Sequence, residues 1–316
     1  MDCSTSNRCE RSASTSEAPL TATLTGLLCP VPTPYDAAGE VDPDRLSAQL
    51  EVYGRWPLAG VVLFGTSGEG PLLDDDEEER LAVAARAALT SARSLVVQVG
   101  KESVRATVAA ARRAQAAGAD ALLCLPPRYY PLGAAGLAAF YRAVAEATDL
   151  PLLAYHIPQR SKVEMSADLL GELAADGTLA GIKESVGDLD LQRALREAGG
   201  EGFRILNGRA SFTLAALRGS ADGAILAVAD AAPETALALL EAHAAQDVEG
   251  AEAAQRALEP LATCFGPRYG VPGIKAALDL RGWPGGGAPR PPLVALGEAE
   301  RGEVSAALRA AGVDLT

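Results

Sequence analysis

Residues 151–185 read PLLAYHIPQRSKVEMSADLLGELAADGTLAGIKES. An apolar run at 152–157 ends in Pro158, apolar residues recur at three- and four-residue spacing over 167–175, and a second short apolar run occupies 180–183. That order predicts strand, helix, strand, the repeating unit of a parallel sheet. The same alternation extends in both directions. Strands are expected at 26–31, 60–64, 95–99, 121–125, 152–157, 180–183, 204–206 and 224–228, and helical periodicity at 77–89, 104–117, 135–147, 167–175, 189–198 and 212–218. Eight parallel strands separated by helices close into an α/β structure of the (β/α)8 TIM-barrel class, which leaves no exposed sheet edge. An open doubly wound sheet would carry a Gly-rich phosphate turn after its first strand, where this chain has Pro30-Val31-Pro32-Thr33-Pro34.

Beyond the eighth strand, 233–243, 251–261, 273–279 and 298–311 read as helices, and GWPGGGAPRPPL is a connector in which neither helix nor strand is comfortable. The expected division is a disordered tail over 1–20, rich in Ser and Thr, a catalytic barrel over 21–246 and a C-terminal helical extension over 247–316.

A formal charge of −13 disfavours nucleic acid and anionic membrane surfaces as partners. No apolar run approaches the ~20 residues needed to cross a bilayer, and the N-terminus lacks the apolar core of a signal peptide, so a cytoplasmic protein is expected. Five cysteines without a CxxC pair argue against a disulfide framework, and with only His156 and His243 a histidine-based metal site is not expected.

A barrel's active site lies at the C-terminal ends of its strands. Three polar clusters fall there: Gly65-Thr66-Ser67-Gly68-Glu69 after the second strand, Tyr155-His156-Ile157-Pro158 at the fifth and Gly181-Ile182-Lys183-Glu184-Ser185 at the sixth. Lysine is scarce, at positions 101, 162, 183 and 275 alone. Lys183 ends an apolar strand, where desolvation lowers an amine's pKa and favours the nucleophilic free base. Such an amine adds to a ketone to form an iminium, which withdraws electrons as an aldol reaction requires. A lone strand-end lysine is more often ion-paired, Tyr155 alone more often a core aromatic, and Thr66-Ser67 alone more often turn chemistry. It is the combination that points to a site. Arg128, Arg160 and Arg209 fall on loops of the same face, ready for a second anionic group, although Arg128 and Arg209 taken singly read equally well as solvated surface.

The ordered set GTSGEG, PPRYY, YHIP and GIKES resembles the dihydrodipicolinate synthase / N-acetylneuraminate lyase family, from Leu24 to the C-terminal helices. The resemblance implies a pyruvate-dependent class I aldolase without metal or organic cofactor, often a homotetramer, acting on a small 2-oxo acid and an aldehyde. It makes Lys183 the Schiff-base lysine, Tyr155 the proton-relaying tyrosine, Thr66 the hydroxyl linking two tyrosines, and Ser67 with the adjoining Gly65 loop the seat of the pyruvate carboxylate. Tyr129 matches the tyrosine that a neighbouring subunit contributes, and Gly208 a carbonyl beside the substrate, followed by Arg209. Arg160 matches the arginine that anchors the acceptor carboxylate in the synthases, although those usually read Ser-Arg-Thr-Gly where this chain has Gln159-Arg160-Ser161-Lys162. The C-terminal YGVPGIKAALDLRGWPGG is similar instead to 4-hydroxy-2-oxoglutarate aldolases. A pyruvate-binding sensor or pseudoenzyme is the non-enzymatic alternative.

Overall fold

The computed structural model describes residues 24–315. The expected tail at 1–20 lies outside them. Eight strands, β1 (Gly26–Cys29), β2 (Gly60–Leu63), β3 (Ser94–Gln98), β4 (Ala121–Cys124), β5 (Leu152–His156), β6 (Gly181–Glu184), β7 (Arg204–Asn207) and β8 (Gly223–Ile225), form a closed barrel in sequence order. Every pairing is parallel, and β8 closes onto β1 with Gly26 opposite Gly223. At that seam a Cβ on Gly223 would stand 2.2 Å from the carbonyl oxygen of Gly26, so the contact admits only glycine.

Successive strand residues alternate between two apolar layers. Leu28, Val62, Val96, Leu123, Leu153, Tyr155, Leu206 and Ile225 belong to the cluster that fills the barrel. Their neighbours Leu27, Val61, Leu95, Leu122, Ala154, Ile182 and Ile205 pack outward with the helices. Because Ile182 faces the helices, the adjacent Lys183 faces the lumen.

The helices are α1 (Pro43–Tyr53), α2 (Asp75–Ala88), α3 (Val104–Ala116), α4 (Ala134–Ala145), a single turn α5 (Pro158–Ser161), α6 (Ala167–Ala175), α7 (Leu189–Gly199), α8 (Thr213–Gly219) and α9 (Pro233–Ala244). Side-chain caps set their starts: Asp74 and Glu77 form a reciprocal capping box on α2, while Ser103, Ser166 and Asp188 cap α3, α6 and α7. Periodicity alone does not single out α1, whose start carries the Asp42 cap and Pro43 at the first turn.

Two strand ends differ from expectation by more than one residue. β1 stops at Cys29 rather than at residue 31, because Pro30 has no N–H to give the ladder. The apolar run 224–228 is not all strand: β8 ends at Ile225 and the chain coils into a 3-10 turn, Ala227–Asp230, in which Ala229 N–H donates to the Leu226 carbonyl at 3.0 Å. A continuous apolar run does not distinguish a buried strand from a buried turn.

After α9 come α10 (Val248–Thr263), a five-residue π turn (Cys264–Arg268), α11 (Val271–Leu280) and α12 (Glu298–Ala310). α10 packs against α9 and α8, and α12 against α10 and α11. The Gly/Pro-rich connector between α11 and α12 folds back onto the barrel. Arg290 donates to Glu77, to the carbonyls of Leu72 and Gly39, and through its backbone N–H to Glu69. Among the described residues no helix is long and apolar enough to cross a membrane.

Candidate active site

The register of the barrel places the first two functional groups side by side: Tyr155 on β5 and Lys183 on β6 are directly paired. Lys183 Nζ lies 3.3 Å from the Tyr155 hydroxyl and 4.4 Å from the centre of its ring. The same hydroxyl is 3.2 Å from Thr66 Oγ1, on the loop after β2. Lysine, tyrosine and threonine thus form a continuous chain of proton-carrying groups. Lys183 is 5% and Tyr155 2% exposed, so bulk water does not compete for these bonds.

The chain opens onto a cavity of about 810 Å3 at the C-terminal ends of the strands. Its wall includes Thr66, Ser67, Tyr155, Arg160, Lys183, Gly208 and Arg209. Gly65 and Tyr129 are not on it. The Gly65 carbonyl accepts a hydrogen bond from Gly70 N–H within the turn at 3.3 Å, leaving the backbone N–H groups of Thr66 and Ser67 without partners among the described residues. Tyr129 stacks edge-on against Tyr130 at 5.1 Å on the surface and is 79% exposed. Arg128 is likewise off the wall, ion-paired with Glu102 at 3.0 Å.

The three arginines therefore differ. Arg209 reaches the cavity but is engaged, donating to the Val186 carbonyl at 2.6 Å and to Ser211 at 3.2 Å. The guanidinium of Arg160, on α5, makes no hydrogen bond or ion pair with any described residue; only its backbone N–H does, to the Ile157 carbonyl at 3.0 Å. It is the cation on this wall that is available to an anion.

Backbone geometry holds the site from behind. Glu184, fully buried and pointing away from Lys183, accepts the N–H groups of Val186, Gly187 and Asp188 and the Gln192 amide, which pins the loop after β6. Gly208 N–H donates to the Glu184 carbonyl at 2.6 Å. A Cβ on Gly208 would sit 2.2 Å from Ser185 Oγ and 3.1 Å from Lys183 Cε, so only glycine lets the β7 loop approach the lysine.

Two polar groups at the site were given no role of their own by the sequence, Ser185 on the wall and Asp230 behind it. Ser185 Oγ is buried without a partner, beside Lys183. Beneath Ser67 lies Asp230, fully buried in the turn after β8; its Oδ1 accepts the Cys29 thiol at 3.1 Å and its Oδ2 has no hydrogen-bond partner. Burial pushes the Asp230 carboxyl well above the usual carboxylate range, opposed by the nearby Cys29 and Ser67 side chains and by the charge of Lys183. The apolar run that hid the turn also hid this acid.

A second buried lysine sharpens the contrast. Lys275 on α11 is fully buried but ion-paired with Glu69 at 2.8 Å, lies 4.2 Å over the Tyr35 ring and donates to the Ala288 carbonyl at 3.3 Å. It is not on the cavity wall. Lys101 is paired with Glu78, and Lys162 is exposed. Among the described residues no group of three or more His, Cys, Asp or Glu side chains is placed to hold a metal ion.

The sequence model of the dihydrodipicolinate synthetase family matches residues 23–311. An uncharacterised DapA-like lyase of Halobacterium salinarum is 34% identical over 290 residues, covering 92% of this chain and 95% of that protein. A 4-hydroxy-tetrahydrodipicolinate synthase of Moorella thermoacetica is 34% identical over 291 residues, 91% of this chain and 98% of that one. A crystal structure of a prophage protein from E. coli K12, a member of the same family in complex with pyruvate, superimposes with a TM-score of 0.87 at 25% identity, covering 92% of this chain and 99% of the other. Fold, site and sequence agree: the chain belongs to the dihydrodipicolinate synthetase family, whose members are cofactor-free lyases and synthases of the class I aldolase type.

Proposed function

We propose that this enzyme makes or breaks a carbon–carbon bond between pyruvate and an aldehyde bearing an anionic group, through an imine at Lys183. The observation that carries the reading is the chain Lys183 Nζ, Tyr155 hydroxyl, Thr66 hydroxyl, at 3.3 and 3.2 Å, opening on one cavity. The E. coli relative's complex with pyruvate supports the choice of 2-oxo acid.

In this reading the pyruvate carboxylate is received by the Ser67 hydroxyl and the unpartnered N–H groups of Thr66 and Ser67. Lys183 Nζ adds to the ketone carbon, the ketone oxygen leaves as water, and the resulting iminium makes the methyl protons acidic. Tyr155, relayed by Thr66, removes one of them and later returns a proton to the alkoxide formed when the methyl carbon attacks the aldehyde. Water then releases the product and frees the amine; cleavage runs the same steps in reverse. Arg160 grips the acceptor's anion by paired hydrogen bonds, as in the 4-hydroxy-tetrahydrodipicolinate synthase reading. Tyr129, exposed and away from its own chain's cavity, serves a neighbouring copy in a homo-oligomer.

Pyruvate with borohydride will add one label per chain, at Lys183, and Lys183→Ala will abolish both label and turnover. Labelling at Lys101, Lys162 or Lys275 refutes the mechanism, and a pyruvate sensor without imine chemistry gains no mass.

A further inference from the structure

Pyruvate and a small polar acceptor leave most of the cavity unused. At about 810 Å3 it stands toward the upper end of the ~300–1,000 Å3 range that encloses drug-sized ligands. Lys183, Tyr155, Thr66 and Ser67 account for the part that handles the 2-oxo acid. Much of the rest is apolar: Ile157 and Val228 from the barrel, Phe265 from the π turn, and Val271 and Ile274 from α11, each less than a tenth exposed.

This wall discriminates by chemistry. Hydroxyls laid against Val228, Phe265, Val271 and Ile274 lose water and find no partner in those side chains, whereas methylenes gain by leaving water. Its polar groups are largely committed. Gln159 donates to the Ser185 carbonyl at 2.9 Å, Glu259 accepts from Gln255 at 3.1 Å, and Arg209 is held by Val186 and Ser211. Apart from Ser185 beside Lys183 and Thr263 on α10, the uncommitted side chain is Arg160, close to the start of α11: a Cβ on Gly270 would stand 4.0 Å from its Nη2.

We propose that the acceptor is a long ω-aldehyde carboxylate: an aldehyde whose several-carbon apolar segment lies along Val228, Phe265 and Ile274 and whose terminal carboxylate reaches Arg160. The inference rests on the imine reading above and names its acceptor class. The reaction remains a redox-neutral aldol addition. One bond forms between the pyruvate methyl carbon and the aldehyde carbon, the proton lost from the methyl is matched by the one gained at the aldehyde oxygen, and the product is a 4-hydroxy-2-oxo dicarboxylate.

The test is the specificity constant of the native enzyme, with pyruvate saturating, for glyoxylate, 4-oxobutanoate and 6-oxohexanoate. Burial of each added methylene corresponds to roughly four-fold, so 6-oxohexanoate is expected to exceed 4-oxobutanoate by at least ~10-fold. Hexanal, without the carboxylate, is expected at least ~10-fold below 6-oxohexanoate. A Cβ on Gly266 of the π turn meets no atom within 4 Å, so Gly266→Leu places a side chain in open space. That variant is expected to shrink the 6-oxohexanoate to 4-oxobutanoate ratio by at least ~10-fold. A flat or falling series, or D-glyceraldehyde as the best acceptor, with pyruvate still trapped at Lys183, overturns the acceptor class and spares the imine reading. An unchanged ratio in the glycine variant overturns the placement along the π turn. Failure of the native enzyme to trap pyruvate brings down both readings.

Discussion

Tyr155 bonds both Lys183 and Thr66 while its ring packs with the apolar cluster inside the barrel. Removing only the hydroxyl separates these duties. Tyr155→Phe is expected to keep its melting temperature within a few degrees and to lose ~10²–10⁴-fold in turnover, the usual contribution of a positioned acid–base group. Kinetics alongside a thermal melt checks this; near-normal turnover would reduce Tyr155 to packing. Lys183 and Tyr155 were legible because a polar residue ending an apolar strand stands out against its neighbours. Gly65 shows the limit of the same motifs, since it does not line the cavity, whereas Tyr129 was expected to serve a neighbouring subunit and is off its own chain's cavity. Asp230 was not legible, because all five residues before it are apolar in the manner of a strand and its depth is set by a turn that periodicity does not encode.

At the scale of elements, the loop after β2 is held by parts of the chain far away in sequence. Glu69 takes a left-handed conformation, φ 55°, and its carboxylate meets Lys275 from α11 and the backbone of Arg290 from the connector. Strand and helix order could be read from period alone, but no local pattern reveals a pairing across 221 residues. Both Glu69 and Lys275 side chains are fully buried, so losing one partner strands the other. Lys275→Met is expected to cost ~3–5 kcal/mol in denaturant unfolding, and Lys275→Met with Glu69→Gln to recover more than half of it, because the stranded charge is then gone. Equal losses in the single and double variants would show that packing around α11, not the ion pair, sets the cost.

For the whole molecule, the acid beneath the barrel mouth gives stability a pH dependence. Burial raises the Asp230 pKa above its unfolded value, so the native state holds this proton more tightly than the unfolded chain does. The associated stability is complete below the unfolded carboxylate range of about pH 4 and is lost as pH rises through the raised pKa. Asp230→Asn keeps the size and removes the titration. Its melting temperature relative to the native protein is expected to improve by at least ~3 °C between pH 5 and pH 9, on the scale of ~1 kcal/mol. Calorimetry across that range checks it, and a difference that does not vary with pH would rule out Asp230 as the titrating group.

The tether between Glu69 and Arg290 also sets an order of events during synthesis. Ribosomes add ~5–20 residues per second, so the interval between these two residues lasts roughly 10–45 s. For most of it, strands β1 and β2 are outside the ribosome while the acid at the tip of the loop after β2 waits for partners not yet translated. The loop carrying Thr66 and Ser67 takes its final shape only once Arg290 has emerged. A nascent chain therefore holds Lys183 well before the loop of Thr66 and Ser67 is finished, and on the proposed mechanism a half-made enzyme has little means of capturing its 2-oxo acid.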